Sequence, residues 1–481
     1  MADDDGPAVL KESTSMEKAE RDAFEVDEGH RSELFLPADD KEIYQFLVAY
    51  QEGNAGRLVL DPRAAPGEFG ERISERLKLS EDGSKILWPQ PTDDPRDPQN
   101  WSTSRKTLQL TIATLAAIVP DFDASIGITS VFAMAQQFDT TPDRVNQLGQ
   151  RACAQVSGLY VVTDLFPVHL QARKLSIWTM GFVLSPVLAP FLFGFLVARA
   201  NWRWSYGIGT MYDAIVVFLI AFFLEETMYD RHLANPHPLD RPSSTLRYRV
   251  EMLVGATGLR MARFRPSWKT VALAPLKVVW RPHLFAILWY EGVLFGLQIG
   301  LHVTNAVILA NPPPTGYGYG QIQIAATYAS SLAAVLIGEV VGRYLVDWLL
   351  EVTVRRNNGV FEADCRLWAC YPSAALFVIG FILEGAAFQF HLHIAVLVVG
   401  WLCAQIAVMM NTSAGEISAL INLARSLGGF SVSYFQVDWV TRNGALQAFG
   451  AEAGIVAGLF VLVVPILQIQ GQHFRTHFAA K

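Results

Sequence analysis

From Arg105 onward the chain is a succession of long apolar runs with short polar breaks, and no other feature constrains its fold as tightly. Crossing ~30 Å of hydrocarbon takes about 20 predominantly apolar residues in a helix. Ten segments meet that need: 105–135, 147–168, 175–198, 207–224, 283–310, 321–347, 366–389, 393–412, 416–436 and 447–470. Runs of this number and length cannot all be buried in one soluble core. In lipid every backbone N–H and C=O must be satisfied within the protein, which for apolar runs of this length means helices. The expectation is an all-α polytopic membrane protein.

Charge divides the chain sharply. Residues 1–104 carry 24 acidic and 12 basic side chains, whereas the remaining 377 carry 21 and 26. The first part reads as an acidic, water-soluble tail, with KEIYQFLVAY (41–50) and ERISERLKLS (71–80) as short, loosely ordered amphipathic helices. No basic patch interleaved with aromatics exists to neutralise phosphates, so nucleic acid is excluded as a partner. Four cysteines, Cys153, Cys365, Cys370 and Cys403, are too scattered for a disulfide framework and lack the companions a zinc site needs. The start MADDDG is acidic where a leader would be basic and apolar, so the first span is expected to direct insertion.

Lysine and arginine set the expected orientation. Segment 225–282 holds ten basic residues against five acidic ones, and HLQARK (169–174) and 348–366 are basic as well. These should face the cytoplasm, whereas the uncharged ANPPPTGYGYGQ (310–321) should lie outside. Segment 147–168 is shorter and more polar than its neighbours. Counting it as a span keeps HLQARK inside, with Arg151 at the outer interface and Asp164 near the inner one. The resulting organisation is a cytoplasmic acidic tail (1–104), an N-terminal bundle (105–224), a basic cytoplasmic loop (225–282), a six-span C-terminal bundle (283–470) and a cytoplasmic tail (471–481). Two bundles joined by a basic loop is the layout of transporters built from two repeated halves.

Several stretches carry a more specific likeness. They are DPRDPQNW (94–101), LFPVHLQARKLSIWTMGFVLSPVLAPFLFGF (165–195), NWRWSY (201–206), FLEETMYDR (223–231), IGEVVGRYLVDW (337–348), RRNNGVFEADCRLWACYP (355–372) and GEISALINLARSLGGFSVSYFQ (415–436). Together they resemble a fungal member of the major facilitator superfamily, in its drug:proton antiporter branch. The resemblance implies a truncated major facilitator fold of about ten spans, four and six, because the family's second and third helices are absent after VNQLG (145–149). It implies proton-driven efflux of a small hydrophobic compound across the plasma membrane, with both termini cytoplasmic. The partners would be a small-molecule substrate, protons and the lipid bilayer. No cofactor and no metal is called for. The alternative is a relative that no longer transports, or a mis-spliced gene model. An enzyme is not expected, since no cluster of His, Cys or Asp and no nucleophile motif occurs; His391 and His393 stand alone.

GFVLSPVLAPFLFGF (181–195) resembles the family's antiporter motif. Gly181, Pro186, Pro190 and Gly194 would let two helices approach and bend, as a hinge or simply as a kinked helix. Asp121 and Asp123 fall in the middle of the first span, where a carboxylate costs ~3 kcal/mol on insertion scales. They are candidate proton carriers, unless the span breaks at Pro120 and places them at the surface. Glu291 is a third candidate, balanced against an interfacial position near its helix start. Gln298, His302 and Asn305 follow Glu291 at helical spacing and could line a cavity, with an interhelical hydrogen bond the alternative for His302. Glu339 and Arg343 share a helix face and read as an ion pair, beside Asp347 in a degenerate gating signature. Glu416 and Arg425 are expected to anchor their own helix.

Overall fold

The structure is a computed structural model that describes residues 40–54, 57–138, 157–227, 229, 244–254, 256, 267, 269, 273, 276, 279–313, 316–362, 367–414 and 419–477. Residues up to Tyr50 form one compact unit, represented here by most of helix α1 (Asp40–Gly53). Residues from Gln51 onward form a second.

Apolar composition makes the second unit helical. Its long helices are α4 (Thr103–Gln137), α6 (Val168–Val197), α7 (Arg203–Phe223), α9 (Pro282–Ala310), α10 (Gln321–Arg356), α11 (Cys370–Gln389), α12 (Ile394–Ala414), α13 (Ala419–Asn443) and α14 (Ala445–His477). Eight of these, all but α13, are long and apolar enough to cross a membrane, among the described residues. Helix α13 spans 25 residues but is more polar, carrying Arg425, Asp438 and Arg442. Of the expected segment 147–168, the described residues include the short α5 (Ser157–Leu165) and its junction with α6; Arg151 lies outside them. The short α8 (Thr245–Leu253) falls in the basic central segment.

Packing sorts the helices into two groups. In the N-terminal group α4 packs on α6 and α7; in the C-terminal group α9 packs on α13, α10 on α12, and α11 on both α12 and α14. Helix α6 also packs along α10, and this seam joins the groups. Glycine sets the closest approach. A Cβ on Gly296 of α9 would lie 2.6 Å from the backbone of Gly428 on α13, so only glycine permits that contact.

Residues 57–101 are built into the fold, contrary to the loosely ordered tail that their composition suggested. Strand β1 (Arg57–Val59) pairs antiparallel with β2 (Val360–Glu362), in the connection after α10. Two one-turn helices, α2 (Ala65–Phe69) and α3 (Glu71–Ser74), come after β1. Leu58, Val59, Leu60, Phe69, Ile73, Ile86 and Trp88 are buried. The Trp88 indole donates to the Val59 carbonyl (2.7 Å), and the Trp88 carbonyl accepts from the Val168 backbone N–H at the start of α6 (2.7 Å). This segment therefore touches both helix groups at one end of the α6–α10 seam. The burial of two aromatic and several aliphatic side chains overrides the segment's high charge.

Candidate functional site

The interior of the C-terminal group is polar along its length. Nearer the start of α9, Glu291 accepts from the Arg425 guanidinium, Nη2 at 2.7 Å and Nε at 3.1 Å. It also accepts from the Asn411 amide. The two ionised side chains are 8% and 3% exposed. Desolvating such a pair is expensive, and the two guanidinium contacts with an added amide donor offset part of that cost, although Arg425 Nη1 and Asn411 Oδ1 are buried without a partner.

Further along α9, the Gln298 amide donates to Gln405 Oε1 (2.7 Å). His302 accepts from the Trp401 indole at Nδ1 (3.2 Å), while its backbone carbonyl accepts from the Tyr328 hydroxyl (3.0 Å). Beyond it, Asn305 Nδ2 donates to Glu384 Oε2 (3.1 Å), and Gln436 Nε2 donates to both carboxylate oxygens of Glu452 (2.9 and 2.8 Å). Each of these polar residues is at most 2% exposed.

In the N-terminal group, Asp123 of α4 and Asp213 of α7 lie near enough to act on each other electrostatically, and Asp213 Oδ1 is buried without a hydrogen-bond partner. Gly209 makes room for them, since a Cβ there would sit 3.2 Å from Asp123 Oδ1 and 2.7 Å from Ile126. Close by, Phe122 and Phe193 meet with ring centroids 5.3 Å apart. Asp121 and Asp123 are both half-buried and α4 runs through Pro120 without a break. The pair thus sits on a continuous helix.

Across the seam, Arg173 of α6 pairs with Asp347 of α10 at 2.8 Å, and Ser176 donates to Glu339. Glu339, which lies four residues before Arg343 on α10, takes a hydrogen bond from Ser176 of the other bundle. Asp347 likewise finds its cation 174 residues away, and not among Arg355 and Arg356. The four hinge candidates all lie within α6. A Cβ on Gly181 would sit 2.7 Å from the Thr114 side chain of α4, and one on Gly194 would sit 2.5 Å from Ala325 of α10. Pro186 and Pro190 are inside the helix, which continues through them.

The structure thus joins Glu291 to Arg425, which sequence reading had placed apart, and sets Gln298, His302 and Asn305 in one buried row. Glu416 lies outside the described residues. Sequence reading missed Asp213, Glu384, Glu452, Gln405 and Gln436. Each of the three carboxylates stands alone in an apolar run, and a lone intramembrane carboxylate is a signal in its own right.

Two helix groups joined along one seam, each with polar side chains buried among apolar helices, define a two-bundle membrane transporter. The chain belongs to the Major Facilitator Superfamily, whose sequence profile matches residues 144–433. An uncharacterised MFS-type transporter of Schizosaccharomyces pombe is 21% identical, over 84% of this chain and 90% of its own length. An MFS transporter of Aspergillus oryzae is 25% identical over 55% of this chain and 52% of that protein. An efflux pump of Floropilus chiversii is 21% identical over 66% and 60%. Among solved structures, the human organic anion transporter MFSD10 aligns with a TM-score of 0.40 at 16% identity, covering 75% of this chain and 82% of that one. The chain is an integral membrane protein of a transporter family.

Proposed function

We propose that the chain exports a small, largely apolar organic compound in exchange for protons, as a member of the drug:proton antiporter branch. The observation that carries this reading is that Asp123 of α4 and Asp213 of α7 lie near one another between apolar helices, with Gly209 of α7 leaving room at Asp123 Oδ1. Two neighbouring carboxyl groups at such depth can take up a proton on one side and release it on the other. Of the other two carboxylates expected to carry protons, Asp121 is half-buried on α4 and Glu291 is engaged by a guanidinium and serves better as a fixed strut. Gln298, His302 and Asn305 would line the C-terminal wall of the route, Gly181, Pro186, Pro190 and Gly194 would flex α6, and Arg173, Asp347, Ser176 and Glu339 would close one end of the seam. The basic segment and both termini would face the cytoplasm at the plasma membrane. The relative whose name denotes an efflux pump supports export over import.

A second reading, a relative that has lost transport, rests on the N-terminal group. Among the described residues it contains three long apolar helices against at least five in the C-terminal group. One experiment separates the two. In yeast lacking its own drug pumps, the wild-type chain should export a fluorescent hydrophobic cation in an energy-dependent way. The Asp123→Asn variant should reach the membrane and lose that export. Wild-type protein at the membrane with no export would favour the second reading.

A further inference from the structure

Glu384 and Glu452 form a second carboxylate pair, in the other bundle, that the transport reading leaves unused. Glu384 lies on α11 and Glu452 on α14, both completely buried and close enough to act on each other electrostatically. Every element around them contributes either a neutral amide or bare backbone. Helix α9 presents Asn305 and α13 presents Gln436. Helix α12 presents Gly400, where a Cβ would lie 2.8 Å from Glu384 Cγ. His302, one turn before Asn305, is turned to Trp401 and Tyr328. Among the described residues, neither glutamate has a basic side chain at salt-bridge distance, in contrast to Glu291. Two adjacent buried anions without a cation are too costly to persist as such, so the site must hold positive charge of its own.

The hydrogen bonds say where. Glu452 accepts the Gln436 amide on both oxygens. Glu384 accepts from Asn305 on Oε2 only. Two atoms of that contact are buried with no partner, Glu384 Oε1 and Asn305 Oδ1. Both are oxygens on groups already joined through their other ends, and a proton on the carboxyl would let one act as donor and the other as acceptor. A buried polar atom left unpaired costs ~1–3 kcal/mol, so a single added proton that satisfies two of them is strongly favoured.

We propose that Glu384 is a proton-binding residue: a proton on its Oε1 donates to Asn305 Oδ1 and, with the existing Nδ2–H···Oε2 bond, closes a cyclic acid–amide pair. The C-terminal bundle then carries its own proton, separate from the one assigned to Asp123 and Asp213. The binding step stands without the export reading, and only the use of the proton rests on it. Loss of the proton would leave an unmatched buried anion on α11, loosening its contact with α9 or drawing in a replacement cation.

The test reads the proton directly and needs no transport. The full chain, in lipid nanodiscs, is probed by infrared spectroscopy for the carbonyl stretch of a buried carboxylic acid and its shift in deuterated water. With Asp123→Asn and Asp213→Asn in the background, a band belonging to Glu384 should remain. Glu384→Gln should abolish it, and Glu452→Gln should leave it. Glu384→Gln should also keep the thermal midpoint, because a carboxamide closes the same ring with Asn305. Should Glu384→Gln fail to fold, Asn305→Leu serves instead: the acid band should persist and move to higher frequency as its hydrogen bond is lost. A band unchanged by Glu384→Gln, a band lost in Glu452→Gln, or a band unmoved by Asn305→Leu would each overturn the proposal. Failure of export with the band in place would count against the transport reading alone.

Discussion

Glu291 and Glu384 pose one problem and meet it in opposite ways. Each is a lone carboxylate on a helix of mean apolar character, buried to 6% and 0% exposure. Glu291 recruits a guanidinium from α13 and an amide from α12, so an opposite charge faces it. Glu384 recruits only one carboxamide and lies beside a second carboxylate. The difference separates a structural charge from one that can come and go. A matched ion pair ties α9 to α13, whereas a carboxyl held by amides changes its charge when a proton arrives or leaves.

The largest test of that contrast removes the guanidinium. Arg425→Gln should leave Glu291 buried and unmatched, destabilising the protein by ~3–5 kcal/mol. Adding Glu291→Gln should recover most of the loss, because two amides can hydrogen-bond where two charges did. Thermal unfolding of the detergent-solubilised single and double variants reads both. An Arg425→Gln protein as stable as wild type would mean that Glu291 is no strut, and the distinction between the two carboxylates would collapse.

Much of this arrangement was open to inspection in the residues, and the remainder was hidden for physical reasons. Helices such as α9 and α11 stem directly from apolar length, because lipid leaves an exposed backbone no alternative. The row of Gln298, His302 and Asn305 comes from helical spacing. Glu291, however, read as ambiguous because its partner is 134 residues away, and no local pattern announces a guanidinium arriving from another helix. Glu384 and Glu452 were visible as single charges in apolar runs and went unremarked. Segment 57–101 was misread because β1 and β2 are three residues each and about 300 residues apart. Strands that short carry no alternation, and the burial of Trp88 outweighs the surrounding charge.

A middle-sized effect is expected at Asn305. Asn305→Leu removes the one donor that Glu384 has in the structure, and a buried polar group so deprived costs ~1–3 kcal/mol. The loss should be smaller than for Arg425→Gln if Glu384 is neutral, and at least as large if Glu384 is ionised. Ranking the two midpoints under one set of conditions therefore sharpens the comparison without any measurement of protons.

The smallest effect on stability belongs to Arg173 and Asp347, which are 43% and 28% exposed. Half-exposed pairs contribute ~0.2–1 kcal/mol, so Arg173→Ala should barely move the midpoint. The pair nevertheless joins α6 to α10, one from each bundle, at the end where residues 57–101 also bridge the two. A contact present in one arrangement of the bundles and broken in another acts on the balance between them, and a ligand or a charge shifts such a balance by its differential energy alone. At ~1 kcal/mol the shift is about fivefold. Arg173→Ala should therefore change the export rate of a working chain by up to that factor at unchanged stability, and the charge exchange Arg173→Asp with Asp347→Arg should restore it. Export indifferent to both would make the pair a surface decoration, and would leave Ser176 with Glu339 as the polar contact closing that seam.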